Sequence, residues 1–195
     1  MKRWAGLGFV AGALALMHAA PSCVAGSERA PGTAVQRDDS PGWKIIQGAD
    51  FNRDGMADVL WNDPVTNRIS IWLMDGTRLL APGPWLEGPG GAGWAAVTSA
   101  DFNADGMDDV LWFNGTTNQM AIWLMNGAEL LARGPDLPSP GDGWLAVTTG
   151  DFNLDGMADV VWHNAATNQM AIWLMNGTQL LAPGAAIPGP DDGDW

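Results

Sequence analysis

Hydrophobic residues occur along this chain in short runs, and the same series of runs returns about every 50 residues from Trp43 onward. The tryptophans that open each unit stand 51, 50 and 51 residues apart. They are Trp43, Trp94, Trp144 and Trp195. A fixed period of this length is typical of a tandem array of small structural units. Each unit holds four apolar, β-branched or aromatic runs bounded by turn residues, which predicts four strands.

In the third unit the predicted strands cover residues 144–150, 159–163, 170–175 and 179–182. The dipeptide Asn176-Gly177 separates the last two, which predicts a two-residue hairpin with a type I′ turn. The third run of each unit, as in residues 121–125, is apolar at successive positions, whereas a sheet wetted on one face would alternate. We therefore predict an all-β fold, a β-propeller-type array of three four-stranded antiparallel blades that cover one another.

Between its first two predicted strands each unit carries a nine-residue acidic segment, which in the third unit is residues 151–159. Carboxylate or amide oxygens stand at positions 1, 3, 5 and 9, and glycine at position 6. Alternate side chains of a tightly curled segment point to one centre, and glycine permits the turn that lets the carbonyl of position 7 and the carboxylate of position 9 close the shell. Such an oxygen set suits Ca²⁺, and the lack of His and Cys disfavours zinc and copper.

These segments differ from an EF-hand loop, which needs a glutamate at position 12 between two helices. Position 12 here is a tryptophan, and short β-branched runs flank the segment. All three copies keep every oxygen position. The sequence therefore predicts about three Ca²⁺ ions, one per unit, each in a strand-loop-strand setting.

The net charge of −13 makes nucleic acid and anionic membranes unfavourable partners. Ten of the 22 acidic residues lie in the three segments. Three bound Ca²⁺ ions would change the net charge from −13 to −7, so we expect calcium to be part of the fold.

The first residues predict a secretory signal, here 1–23, with Lys2 and Arg3 followed by an apolar run and then small residues. The run is short for a membrane span, and no transmembrane segment is predicted. The only cysteine, Cys23, leaves two interpretations open: a bacterial lipoprotein anchor, or a residue in or just after a cleaved signal. The protein is expected to be secreted, or held at the bacterial cell surface or in the periplasm. Residues 24–42 predict a disordered linker, and the repeats follow at about 43–93, 94–143 and 144–194.

The unit Trp-x-Ala-Val-x-x-x-Asp-Phe-Asn-x-Asp-Gly-Met-x-Asp-Val-x-Trp, followed by Ile-Trp-Leu-Met-Asn-Gly, resembles the FG-GAP or VCBS-type repeats of bacterial secreted proteins, relatives of the integrin α-subunit propeller. The resemblance covers residues 43–195. It implies a propeller with one Ca²⁺ in the first hairpin loop of each blade. The ligands it implies, with the methionines acting through their carbonyls, are Asp50, Asn52, Asp54, Met56, Asp58, Asp101, Asn103, Asp105, Met107, Asp109, Asp151, Asn153, Asp155, Met157 and Asp159.

Propellers of this family usually close with seven blades, whereas this sequence holds three units. Three interpretations are open: an open three-blade array, a homodimer that completes a six-blade ring, or a fragment of a longer gene. End blades without neighbours would expose apolar faces, which favours association or truncation over a stable monomer.

The function expected from these features is a non-enzymatic binding or adhesion module for an unidentified extracellular protein or glycan. No enzyme is predicted, because catalytic residues would break the repeat pattern and no such set is present. The one histidine after the signal, His163, has Asn62 and Phe113 as counterparts. The acidic residues outside the loops form no recurring pair. They are Asp63, Glu87, Glu129 and Asp136.

Two alternatives remain. A carbohydrate-binding, lectin-like propeller is suggested by Trp85, which has no tryptophan counterpart in the other units. The second alternative is that the chain is a non-catalytic fragment of a larger secreted enzyme.

Overall fold

The computed structural model describes residues 42–190, and these form strands, turns and irregular segments without a helix. The predicted signal at 1–23, nearly all of the predicted linker and Trp195 lie outside the described residues. Three sheets follow one another along the chain, and we call them blade 1, blade 2 and blade 3. Blade 1 holds β1 (Lys44–Ala49), β2 (Asp58–Asp63), β3 (Arg68–Asp75), β4 (Arg78–Pro82) and β5 (Leu86–Glu87). Blade 2 holds β6 (Trp94–Ala100), β7 (Asp109–Asn114), β8 (Gln119–Asn126), β9 (Glu129–Arg133) and β10 (Leu137–Pro138). Blade 3 holds β11 (Trp144–Gly150), β12 (Asp159–Asn164), β13 (Gln169–Asn176), β14 (Gln179–Pro183) and β15 (Ile187–Pro188).

Each blade is a meander of four antiparallel strands, in which every strand pairs with the next along the chain. A two-residue strand then returns to pair with the start of the third strand, as β5 does with β3. None of the described sheets closes on itself. The prediction of an all-β array of three four-stranded, propeller-like blades is confirmed.

The hairpin between the third and fourth strands differs in detail from the predicted type I′ turn. In blade 2, Asn126 pairs with Glu129 as part of the ladder, so the two-residue turn is Gly127-Ala128. Gly127 has φ 61°, whereas Asn126 and Ala128 do not adopt positive φ. A glycine at the first central position is typical of a type II′ turn, which suits the same strand twist. The prediction of type I′ was therefore wrong, although the place of the hairpin was right.

Every blade has two different faces. In blade 2 the tryptophan face consists of Trp94, Ala96, Val110, Trp112, Ala121, Trp123 and Met125, and it packs on blade 1. The opposite face of blade 2 has no tryptophan and is mostly aliphatic, so we call it the aliphatic face although it includes two phenylalanines. It consists of Val97, Ala100, Phe102, Leu111, Phe113, Met120, Ile122, Leu124 and Leu137, and it packs on blade 3. Because both faces are covered, all six residues of β7 are buried. This explains why the middle strands are apolar at successive positions.

The first strands of the three blades, β1, β6 and β11, lie next to one another in order. Between β1 and β6, Gln47 donates a hydrogen bond to the Ser99 carbonyl and accepts one from the Thr98 hydroxyl. The loops that follow these strands are therefore brought to one edge of the stack. No helix in the described part of the chain could span a membrane.

Candidate metal centre

Each acidic segment forms the loop between the first two strands of its blade, and we number the loops after their blades: loop 1 (residues 50–58), loop 2 (101–109) and loop 3 (151–159). Two residues in every loop adopt left-handed backbone conformations: the predicted glycine at position 6, and a non-glycine residue at position 4. In loop 2 these are Gly106 (φ 86°) and Ala104 (φ 60°). Glycine at position 6 was expected from the sequence. The left-handed residue at position 4 was not, because it is Arg53, Ala104 or Leu154 and carries no sequence signal.

The side chains of positions 1, 3 and 5 are drawn together around the backbone of the loop. In loop 2 the Asp101 carboxylate accepts hydrogen bonds from the amides of Asp105, at 3.2 Å, and Gly106, at 2.8 Å. The Asn103 Oδ1 accepts a second bond from the Asp105 amide, at 3.0 Å, and its Nδ2 donates to Asp105 Oδ2 at 2.8 Å. The Asp105 Oδ1 in turn accepts from the Met107 amide at 2.8 Å.

The same set of bonds recurs in the other two loops. In loop 1 the carboxylate of Asp50 accepts from the amides of Asp54 and Gly55, and in loop 3 Asp151 accepts from Asp155 and Gly156. The bond between the asparagine and the position 5 aspartate measures 2.9 Å in loop 1 and 2.7 Å in loop 3. The three predicted sites therefore share one local structure.

The aspartate at position 9 is buried and has both of its oxygens bonded to the backbone. Asp109 Oδ2 accepts from the Phe102 amide at 3.0 Å, and Oδ1 accepts from the Met125 amide on β8 at 2.8 Å. Asp58 and Asp159 make the equivalent pairs of bonds. Position 9 thus ties its loop to the third strand of the same blade, a structural role that the ligand pattern alone did not reveal.

Burial raises the pKa of Asp109 to about 7, against the lowering effect of hydrogen bonds from the Met125 and Phe102 amides. The nearby charges of Asp105 and Asp101 raise it further. Burial also raises the pKa of Asp58, with the charges of Asp54 and Asp50 acting in the same direction. Carboxylates are therefore crowded at these loops, and a cation would relieve the repulsion between them.

Consecutive loops are joined by main-chain hydrogen bonds. The Asp50 carbonyl accepts from the Asp108 amide at 2.8 Å, and the Asp101 carbonyl accepts from the Ala158 amide at 2.8 Å. At the first junction the Asp108 carboxylate also accepts from the Asp50 amide at 2.7 Å. Burial raises the pKa of Asp108, and Asp101 and Asp50 contribute to the rise. The role of Asp108, at position 8, in connecting two blades could not be predicted from the repeat pattern, because the other units have alanine at that position.

The chemistry of the donor set fits a hard cation such as Ca²⁺, since each loop offers three carboxylates, an amide oxygen and a main-chain carbonyl. In residues 42–190, however, no three His, Cys, Asp or Glu side chains are placed to hold a metal ion. The carboxylates are turned towards backbone amides of their own loops. Most of the bonded oxygens accept one hydrogen bond and keep a second lone pair that a cation could use, whereas Oδ1 of Asp101 and Oδ1 of Asp151 each accept two.

Two carboxylates outside the loops form hydrogen bonds or an ion pair with neighbouring residues of blade 1. Asp63 is buried and accepts from the Val65 amide at 2.9 Å and the Thr66 hydroxyl at 2.7 Å. Burial raises its pKa, but these hydrogen bonds and the charge of Arg68 outweigh burial and lower the pKa of Asp63. Glu87 pairs with Arg68 at 2.8 Å on the surface.

The remaining predicted candidates lie apart from the loops. Glu129 and Asp136 are exposed, on and beside the short outer strands of blade 2, and His163 is partly buried on β12. Trp85 is 45% exposed, and the centroid of its ring lies 4.6 Å from that of Trp43.

The model of one protein family, described as FG-GAP-like repeat, matches the chain twice, at residues 50–112 and 101–162. Each match begins at position 1 of a loop and ends at the tryptophan of the second strand in the next blade. Together they cover residues 50–162, more than half of the chain. No curated protein and no solved structure matches.

Proposed function

Because the chain belongs to the family of FG-GAP-like repeats, which are generally non-catalytic binding modules, we propose that it is a secreted, non-enzymatic binding or adhesion module with calcium-stabilised blades. Each loop would hold one Ca²⁺ through positions 1, 3, 5 and 9 and the carbonyl of position 7. The bound ion would neutralise the carboxylates and cross-link the loop. Hydrogen bonds from backbone amides of the same loop hold these carboxylates in place.

The observation that carries this proposal is the buried carboxylate at position 9 of every loop. Asp109 is inaccessible to solvent, lies near other carboxylates and has a pKa raised to about 7. Burying a charge without a partner is costly, so such a group calls for a counter-ion. No lysine or arginine forms an ion pair with it in the described residues. The aspartate at position 9 is inaccessible to solvent in all three loops, which favours a structural cation at each one.

A non-enzymatic role is supported by the surroundings of the acidic residues outside the loops. Asp63 holds a turn through hydrogen bonds, and Glu87 pairs with an arginine. General acid–base catalysis needs carboxylates placed around a substrate. The binding role would instead use the exposed edges and loops of the blades, with a protein or glycan ligand still to be found.

The proposal is tested by calcium titration and thermal unfolding of the full chain, with Asp155→Ala as the variant and Asp136→Ala as the control of equal charge change. Extracellular calcium modules have dissociation constants near 10⁻⁴ to 10⁻³ M, so about 10 mM Ca²⁺ should stabilise each site by roughly 1.4 to 2.7 kcal/mol. The wild type and the control should bind about three ions, and Asp155→Ala about two. Equal calcium binding by the two variants, or none by the wild type, would refute the proposal.

A second candidate, glycan binding, is favoured by Trp85 of blade 1, which is 45% exposed and packs against the partly buried Trp43. Aromatic rings present flat apolar surfaces that sugars can stack on, and the Trp85 ring is open to solvent. A glycan array should then show a signal that Trp85→Ala removes and that Leu131→Ala, at an exposed position of blade 2, leaves intact. A blank array would exclude this candidate.

Location outside the cell rests on the predicted signal at residues 1–23. Fractionation of the producing cells should recover the protein in the medium, the periplasm or the outer surface. Metabolic labelling with a fatty acid, compared between the wild type and Cys23→Ser, separates a lipid-anchored form from a free one. Recovery in the cytoplasm with an intact first segment would contradict the proposal.

A further inference from the structure

The two end faces of the stack have no blade against them within residues 42–190. At the aliphatic face of blade 3, Phe152 is 51% exposed, whereas Phe51 and Phe102, the same loop position in the other blades, are fully buried. At the tryptophan face of blade 1, Ile45 is 59% exposed, whereas its counterpart Ala96 in blade 2 is 3% exposed. Each end therefore presents an uncovered face of the kind that is buried inside the stack.

These two faces are of opposite kinds. By analogy with the covered face of blade 2, the tryptophan face of blade 1 is formed by Trp43, Ile45, Val59, Trp61, Trp72 and Met74, with Ser70 in the place of Ala121. The aliphatic face of blade 3 is formed by Val147, Phe152, Val161, Met170, Ile172 and Ile187, with His163 in the place of Phe113. Inside the stack a tryptophan face meets an aliphatic face at both junctions. The two ends thus carry the two halves of a third junction of the same type.

We propose that the partner of both faces is a second copy of this chain, bound head to tail, with blade 1 of each copy packed on blade 3 of the other. Stacked blades of this kind generally close in rings of four to eight. Two copies supply six blades, whereas three copies would supply nine. A pair therefore uses all four end faces and lies within the range that closed rings adopt.

Main-chain groups at the two ends also complement each other. At both internal junctions the carbonyl of loop position 1 accepts from the amide of position 8 in the next blade, as the Asp101 carbonyl does from Ala158. At the end faces the corresponding groups are the Asp151 carbonyl and the Ala57 amide. Neither of them makes such a bond within the described residues. In a head-to-tail pair each would meet the other, supplied by the second copy.

Contacts between a glycine of one blade and the hairpin of the next blade also recur at both internal junctions. Glycines after the fourth strands face the hairpin turn of the next blade: Gly83 lies against Ala128, and Gly134 lies against Thr178. For Gly184, the third member of this series, the three atoms nearest to an added Cβ all belong to Ile172 of its own blade, and none belongs to a hairpin of another blade. Thr77 in the hairpin of blade 1 is the residue that would complete the contact. This inference concerns the partner and does not depend on calcium.

The test is the mass of the full chain in solution, measured by light scattering at rising micromolar concentration. Three exposed positions receive a charge: Ile45→Asp on the tryptophan face of blade 1, Phe152→Asp on the aliphatic face of blade 3, and Leu131→Asp on blade 2 as the control. Wild type and control should have twice the monomer mass. Each end variant alone should be a monomer, because every junction in its pair would contain one altered face.

Mixing the two end variants gives the decisive measurement. A mixed pair has one junction in which both faces are intact, so Ile45→Asp and Phe152→Asp together should regain the dimer mass. This recovery also shows that both variants are folded. A wild type that stays monomeric, or a dimer lost in only one end variant, would overturn the proposal. Runs with millimolar Ca²⁺ and with chelator separate this result from that of the calcium proposal.

Discussion

Replacing Phe102 by alanine should lower the free energy of unfolding far more than replacing Phe152, although both residues occupy position 2 of an acidic loop. Phe102 is fully buried between blades 2 and 3, and Phe152 is 51% exposed at the end of the stack. Phe51→Ala should behave like Phe102→Ala, because Phe51 is also fully buried. The three substitutions are chemically identical and differ only in whether a following blade covers the ring.

The expected sizes follow from burial. Truncation of a fully buried phenylalanine costs about 3 to 5 kcal/mol, because the transfer free energy of the ring is lost and a cavity remains. At Phe152 roughly half of the ring is already in water and no closed cavity forms, so the cost should be about 1 to 2 kcal/mol. The difference between the two sites should therefore be about 2 to 3 kcal/mol.

The assay is urea unfolding followed by tryptophan fluorescence, in millimolar Ca²⁺ and in an Ile45→Asp background that keeps the end faces apart. Equal costs at Phe102 and Phe152, within about 0.5 kcal/mol, would refute the idea that stacking of the next blade buries this position. In the wild-type background the cost of Phe152→Ala should rise with protein concentration, because the second copy would then cover the ring.

Three further predictions concern the loops and turns. In chelator, the raised pKa of Asp109 means that the folded state holds a proton that the unfolded state releases. The free energy of unfolding should therefore fall as pH rises from about 4 to 7, by at most about 4 kcal/mol. In urea titrations Asp109→Asn should flatten this dependence. Asp63→Asn should lower the free energy of unfolding by less than about 1 kcal/mol, because Asn114 makes the corresponding backbone bonds of the turn in blade 2. Asp63→Ala should lower it by about 1 to 3 kcal/mol in the same assay. Similar losses for both variants would contradict the role of Asp63 in holding the turn. Gly156→Ala should lower the free energy of unfolding by about 1 to 2 kcal/mol because of the φ of 86° at this position. An added Cβ would make only an ordinary contact with Ala104, so no steric clash contributes. An unchanged urea midpoint would contradict this prediction.

The repeat period and the apolar runs were sufficient to predict the blades. The spacing of Trp43, Trp94 and Trp144 marks the first strand of each unit, and residues 121–125 are apolar at successive positions because both faces of the blade are covered. These signals are local or periodic. They depend only on which residues alternate and where the turns occur.

What the sequence did not reveal depends on neighbours in space. The buried bonds of Asp109 join a loop to a strand that begins ten residues later, and those of Asp108 join one blade to the previous one. The difference between a tryptophan face and an aliphatic face also appears only when the strands are paired in register. The type I′ prediction failed because the ladder extends to Asn126, which leaves Gly127 as the first turn residue. Calcium ligation remains a prediction at all three loops.

The junctions between blades have a consequence for how such a chain can change in length. Both internal junctions use the same main-chain bond between loop positions 1 and 8 and the same opposition of a tryptophan face to an aliphatic face. A duplicated unit inserted in the gene would therefore arrive with both of its contact surfaces already matched to its neighbours. Repeat number can then drift by single duplications or losses without any new interface having to be selected.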